Sequence, residues 1–181
     1  RRGGLVDVFG PGMAQPVRVE FDGLYRLELQ GLLNASGTAA SLITFTSHKP
    51  LPRRGDWDRL YFNGPGSAAS QLSYCRVEYA EEALYVQSSS FVATSLTLTL
   101  NNYGVYLYHT GQGLDPTPQL TRSNLYGNSS YNVYVSGTWR TPTAHLNFTE
   151  NWWGTTNTAT INSTIYDHAD NAVLPAVDYG P

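Results

Sequence analysis

The chain has 181 residues, 41% of them apolar and only 14% charged, with a net charge of −3. That length suits one domain with a sizeable core. No basic field exists to attract a phosphate backbone, which argues against nucleic acid. No apolar run approaches the roughly 18 residues of a membrane span. Ser, Thr, Asn, Gly and Tyr take the places that charged residues usually hold. Aromatics at 13% set the chain apart from disordered sequences.

Residues 1–16 carry Gly3, Gly4, Gly10, Pro11, Gly12 and Pro16. They read as an irregular lead-in with one strand over Leu5–Phe9. The chain opens on Arg1-Arg2 without Met and is expected to be a mature or excised piece. From Val17 to Gly31 apolar and polar residues alternate through Val17, Val19, Phe21, Leu27 and Leu29, a first coil. A small polar stretch, Asn34–Ser41, closes it. The next coil starts at Leu42 and is interrupted by His48–Asp58, with two prolines and paired charges. That insertion is expected to protrude as a loop. The coil resumes at Arg59-Leu60-Tyr61-Phe62 and turns at Asn63-Gly64-Pro65-Gly66.

Gln71–Thr143 reads as three copies of one unit, opened by Leu72, Leu96 and Leu120 at steps of 24 and 24 residues. Each unit holds one apolar triplet: Leu84-Tyr85-Val86, Val105-Tyr106-Leu107 and Val133-Tyr134-Val135. A fixed period of this size signals a solenoid. The segments are short, alternating, β-branched and aromatic, and none has helical spacing. The pattern predicts an all-β chain, a parallel β-helix (β-solenoid) of about six coils, with aliphatic residues inside. Leu60, Phe62, Leu84, Val86, Val105, Leu107, Val133 and Val135 are the predicted core. Cys75, the one cysteine, joins them as a buried thiol. Asn101-Asn102 and Gly127-Asn128 mark corners where asparagines can bond from coil to coil. The expected organisation is a lead-in at 1–16, a helix at 17–150 and a cap at 151–181 that crosses the open end.

Two runs carry a family resemblance. One is Gly31-Leu32-Leu33-Asn34-Ala35-Ser36-Gly37-Thr38 followed by Ile43-Thr44-Phe45-Thr46-Ser47, with Gly55-Asp56-Trp57 ahead of a Leu-Tyr-Phe strand. The other is Asn151-Trp152-Trp153-Gly154-Thr155, then Ile161, Ile165-Tyr166-Asp167, Asp170 and Val177-Asp178-Tyr179. Together they resemble secreted right-handed parallel β-helix repeat proteins, in the pectate-lyase-like and NosD-like branches. The resemblance covers the chain from about Val17 onward. It implies a right-handed coil and a secreted or cell-surface setting. Such proteins include polysaccharide lyases, hydrolases, epimerases, adhesins and plain spacers.

A lyase site of that kind needs clustered acidic residues for Ca²⁺. Glu78, Glu81 and Glu82 come nearest, and they read as a solvated corner. A glycosidase needs two carboxylates across one bond. Asp167 and Asp170 are close in sequence, but the resemblance makes them structural parts of the cap. His48, His109, His145 and His168 show no metal-ligand spacing, and neither metal nor cofactor is expected. Four Asn-x-Ser/Thr triplets, at Asn34, Asn128, Asn147 and Asn162, are candidate glycosylation sites.

The most informative feature is a tyrosine column. Tyr61, Tyr85, Tyr106 and Tyr134 sit mid-triplet in four successive coils. If their neighbours point inward, each Tyr points outward. Tyr108 and Tyr131 are candidates to widen the strip. Aromatics also stack simply as good strand residues, contributing about 0.2–1 kcal/mol per pair. Three functions stand. The first is a non-catalytic surface module contacting glycan or a protein partner, a second copy of itself included, through the tyrosines. The second is a structural subunit of an extracellular fibre or surface layer. The third is a polysaccharide lyase or hydrolase whose site is not recognisable.

Overall fold

The computed structural model describes residues 6–7, 17–21 and 25–180, and the chain there is all-β with parallel sheets. It visits three sheets in turn. The first pass lays down β1 (Val6–Asp7), β2 (Val17–Phe21) and β3 (Leu27–Leu29). The second adds β4 (Leu33–Ser36), β5 (Ile43–Ser47) and β6 (Trp57–Asn63). The third adds β7 (Gln71–Ser73), β8 (Cys75–Val77) and β9 (Ala80–Gln87). The fourth adds β10 (Val92–Thr94), β11 (Thr97–Leu98) and β12 (Tyr103–Thr110). The fifth adds β13 (Gln119–Thr121), β14 (Asn124–Leu125) and β15 (Tyr131–Thr138). The last stretch holds β16 (His145–Asn147), helix α1 (Thr158–Asn162), β17 (Ile165–Tyr166) and β18 (Ala176–Asp178).

From the second pass to the fifth, every strand lands on the corresponding strand of the previous pass. The sheets run β1-β4-β7-β10-β13, β2-β5-β8-β11-β14 and β3-β6-β9-β12-β15-β17, and β16 pairs with β18. Period 2 sends alternate side chains inward. Leu33, Leu72 and Leu120 from the first sheet, Phe45, Val77 and Leu98 from the second, and Phe62, Val86 and Leu107 from the third meet in one core. All eight predicted core residues of the third sheet are fully buried.

The fixed 24-residue period does not survive. Leu72 pairs with Ala93, and Ala93 with Leu120, so the steps are 21 and 27 residues. Leu96 is buried but sits just ahead of β11, where its carbonyl accepts the Asn124 N–H. Corner loops differ in length from pass to pass, and only the strands stay in register. The insertion is a loop, with Leu51 well exposed, but its end does not protrude. Asp56 is buried and accepts hydrogen bonds from Ser47 Oγ (2.8 Å), Lys49 Nζ (2.6 Å) and Arg53 N (2.9 Å). Burial alone would raise its carboxyl; those donors, Lys49 foremost, hold it below the ordinary value. Trp57 then enters the core. Of the lead-in, only Val6–Asp7 lies within the described residues, where it pairs with β4; the rest of that expectation falls outside them.

The final stretch rejoins the sheets. Trp152 bridges Asn124 in parallel, and β17 adds a sixth strand to the third sheet. Asp167, buried, accepts the N–H groups of Ala169 (2.9 Å) and Val177 (2.7 Å) and ties the last loop down. On β8, in the middle of the second sheet, Cys75 is 1% exposed, with Sγ 3.1 Å from the Ala35 carbonyl oxygen. Burial pushes its thiol up to about 12. Native protein at pH 8 should therefore react with a maleimide far more slowly than denatured protein. Equal rates would place Cys75 at the surface.

Candidate functional site

The outer face of the third sheet gathers the tyrosines. Tyr61, Tyr85, Tyr106 and Tyr134 are successive Cα partners, and Tyr166 continues the row beyond the four expected positions. Glu28 occupies the same register at the other end. Ring centroids lie 4.9, 5.1, 4.9 and 4.9 Å apart along the row. That spacing is the strand separation itself, about 4.8 Å. All five rings are half-buried, because each leans on the next.

A second row runs Arg59, Glu82, Tyr103 and Tyr131. Strict alternation from Tyr106 would turn Tyr103 inward. It does not, because each strand buries a consecutive pair, Ala83-Leu84 (next to the also buried Glu82), Gly104-Val105 and Asn132-Val133. The doubled pair resets the alternation, so Tyr103 and Tyr106 share one face with centroids 5.4 Å apart. Gly104 is needed there: a Cβ would lie 2.6 Å from the Asn132 carbonyl oxygen. The adjoining corner is held by asparagines. Asn101 Nδ2 donates to Asn128 Oδ1 (3.1 Å), Asn128 Nδ2 to Asn132 Oδ1 (2.9 Å), and Asn132 Nδ2 to Thr164 Oγ1 (3.0 Å).

A third row holds Asn63, Gln87, Tyr108 and Ser136. Tyr108 lies 6.3 Å from Tyr85, so it flanks the main row. Tyr61 donates to Gln87 Oε1 (2.7 Å), and Ser136 Oγ donates to Tyr106 Oη (3.3 Å). Tyr85, Tyr103, Tyr108, Tyr131, Tyr134 and Tyr166 keep hydroxyls with no protein partner among the described residues. Burial pushes the Tyr61, Tyr85 and Tyr134 phenols above their ordinary value, so they stay neutral.

Charges collect at one end and pair among themselves. Arg59 bonds Asp58 Oδ1 through Nε (2.9 Å) and Nη2 (2.7 Å), while Nη2 also lies 3.1 Å from Glu82 Oε2. Its guanidinium sits 4.6 Å from the Tyr85 ring centre, a cation–π contact. Arg26 pairs with Glu28 at 2.9 Å and covers Tyr61 at 5.5 Å. Hydrogen bonding from Asn63 holds the Glu28 carboxyl below its ordinary value.

Glu78, Glu81 and Glu82 are not a solvated corner. Glu78 bonds Arg76 and Thr46, Glu81 bonds Asn102, and Glu82 is buried beside Arg59. Burial drives the Glu82 carboxyl up to about 7 against the pull of Arg59. Its Oε2 has the Arg59 ion pair but accepts no well-aligned hydrogen bond among the described residues. No group of three His, Cys, Asp or Glu is placed to hold a metal among the described residues. No helix there is long and apolar enough to cross a membrane.

The sequons differ. Asn147 and Asn162 are exposed, and Asn34 is half-buried in β4. The Asn128 carboxamide is spent in the asparagine corner. No protein-family model, no curated protein and no solved structure matches the chain.

Proposed function

We propose that the chain is a secreted or cell-surface right-handed parallel β-helix of about six coils, and that its tyrosine face binds a glycan chain. Support for closure into one coil comes from the fixed rotation through three sheets and from the single core they share. The resemblance carried by the Asn151-Trp152-Trp153-Gly154 run and the opening coils agrees with it. The observation that carries the function is the face of eight tyrosines, Tyr61, Tyr85, Tyr103, Tyr106, Tyr108, Tyr131, Tyr134 and Tyr166, whose rings touch and whose nearby charges are already paired. Flat apolar rings bearing free hydroxyls match a sugar's C–H face and its hydroxyl groups, at little cost in side-chain entropy.

Glycan binding is tested with Tyr106→Ala, at the centre of the face. Loss of one central ring should weaken polysaccharide binding about tenfold, as for an interface hot spot, with circular dichroism unchanged. If Tyr106→Ala instead dissociates an oligomer, the face joins subunits of a fibre or layer. If neither binding nor assembly changes, the tyrosines only stack on one another and the reading fails.

A further inference from the structure

A cleft of about 380 Å³ opens beside α1, between that helix and the Trp152 bridge. None of the tyrosines of the three rows lines it. Trp152 lines it and is 46% exposed, far more than any other tryptophan. Trp153 and Tyr179 line it too and meet edge to face at 6.0 Å. Thr156 and Thr158 line it as well, with hydroxyls that bond nothing among the described residues. Trp153 is 5% exposed, and its indole Nε1–H has no acceptor among the described residues. A buried donor without a partner costs about 1–3 kcal/mol, so it marks an unfinished polar contact. No charged side chain lines the cleft among the described residues.

These features select a ligand class. An exposed indole offers a stacking platform to an apolar ring face. Free hydroxyls offer partners to hydroxyl groups, and the Trp153 indole lines the cleft beside them. The uncharged lining gives a carboxylate or phosphate nothing to pair with, and burying an unpaired charge is costly. The volume falls at the small end of ligand sites, which span about 300–1,000 Å³. We propose that this cleft binds a single uncharged sugar unit, with Trp152 as the platform and Thr156 and Thr158 as polar partners. The site stands independently of the tyrosine face.

Tryptophan emission separates the two sites, because the tyrosine face contains no tryptophan. Trp57, Trp139 and Trp153 are buried, which leaves Trp152 as the exposed reporter. The probes are methyl glycosides of glucose, galactose, mannose and N-acetylglucosamine, with glucuronate and cyclohexanol as charged and apolar controls. At least one neutral glycoside should give a saturable emission change. Trp152→Ala should abolish it, Thr158→Val should weaken it several-fold, and Tyr106→Ala should leave it intact. Should Trp152→Ala not fold, nuclear magnetic resonance of the unaltered protein gives the second readout: the Trp153 indole N–H signal must shift with the same glycoside. The proposal is overturned if no neutral glycoside saturates, if cyclohexanol or glucuronate binds as well, or if Trp152→Ala responds like the parent.

Discussion

Leu107→Ala is expected to lower the stability of the folded chain by about 2–5 kcal/mol. Leu107 is fully buried in β12, a central strand of the third sheet, flanked in register by Val86 of β9 and Val135 of β15. Strands hydrogen-bonded on both sides cannot slide inward to fill the space of three lost carbons. Phe62 and Phe91, ring centroids 4.2 Å apart, lie in the same core and are packed against each other. The site therefore relaxes little, which places it toward the costly end of such substitutions. Urea unfolding should show a lower midpoint with an unchanged slope. A loss below about 1 kcal/mol would mean that the interior is loosely packed and that inward alternation in the third sheet has been misread.

The third sheet was the most legible part of the sequence. Leu60-Tyr61-Phe62, Leu84-Tyr85-Val86, Val105-Tyr106-Leu107 and Val133-Tyr134-Val135 each encode inside-outside-inside, and a one-residue slip would have exposed every aliphatic. The steps between passes were not legible. Averaging the 21- and 27-residue steps gives 24, and the apolar Leu96 happened to fall there. The corner between the first and second sheets left no sequence signal. One residue there takes a left-handed backbone in four successive passes: Tyr74 (φ 50°), Ser95 (φ 57°), Arg122 (φ 52°) and Glu150 (φ 58°). None is Gly or Asn, the types that such angles favour. Hydrogen bonds from the Tyr74, Ser95 and Arg122 N–H groups to the next pass hold the corner instead. Tertiary pairing overrode local preference. Tyr103 stayed hidden for a related reason, since only the buried pair Gly104-Val105 turns it outward. Tyr166 was obscured by a chain segment that had lost the repeat before rejoining the sheet.

Glu82→Gln is expected to stabilise the protein at alkaline pH and to change little near pH 4. Glu82 is buried, Arg59 is its one close cationic neighbour among the described residues, and Asp58 and Glu81 add negative charge nearby. Across the strands it faces Arg59 on β6 and Tyr103 on β12. Burial outweighs Arg59, so the carboxyl titrates at about 7 in the folded chain against 4.5 as its ordinary value. The sign follows from proton linkage. Below about pH 4.5 the carboxyl is protonated in folded and unfolded chains alike, and its full contribution is present. Between 4.5 and 7 the unfolded chain releases the proton and the folded chain keeps it, so stability falls as pH rises. Above 7 the folded chain holds an unfavourable buried carboxylate. A shift of that size corresponds to roughly 3 kcal/mol; allowing for solvent at the rim of the face, about 2 kcal/mol is expected. Glutamine cannot ionise, and it preserves the shape beside Arg59, whose pair with Asp58 remains. Chemical denaturation of the parent and Glu82→Gln at pH 4, 6 and 8.5 should give curves that diverge across that range, while Glu81→Gln, whose partner is Asn102, should follow the parent. Parallel stabilities from pH 4 to 8.5 would show that Glu82 titrates alike in the folded and unfolded chains, the pull of Arg59 cancelling the cost of burial. The tyrosine face would then carry an ion pair at its end at neutral pH and no acid titrating near 7.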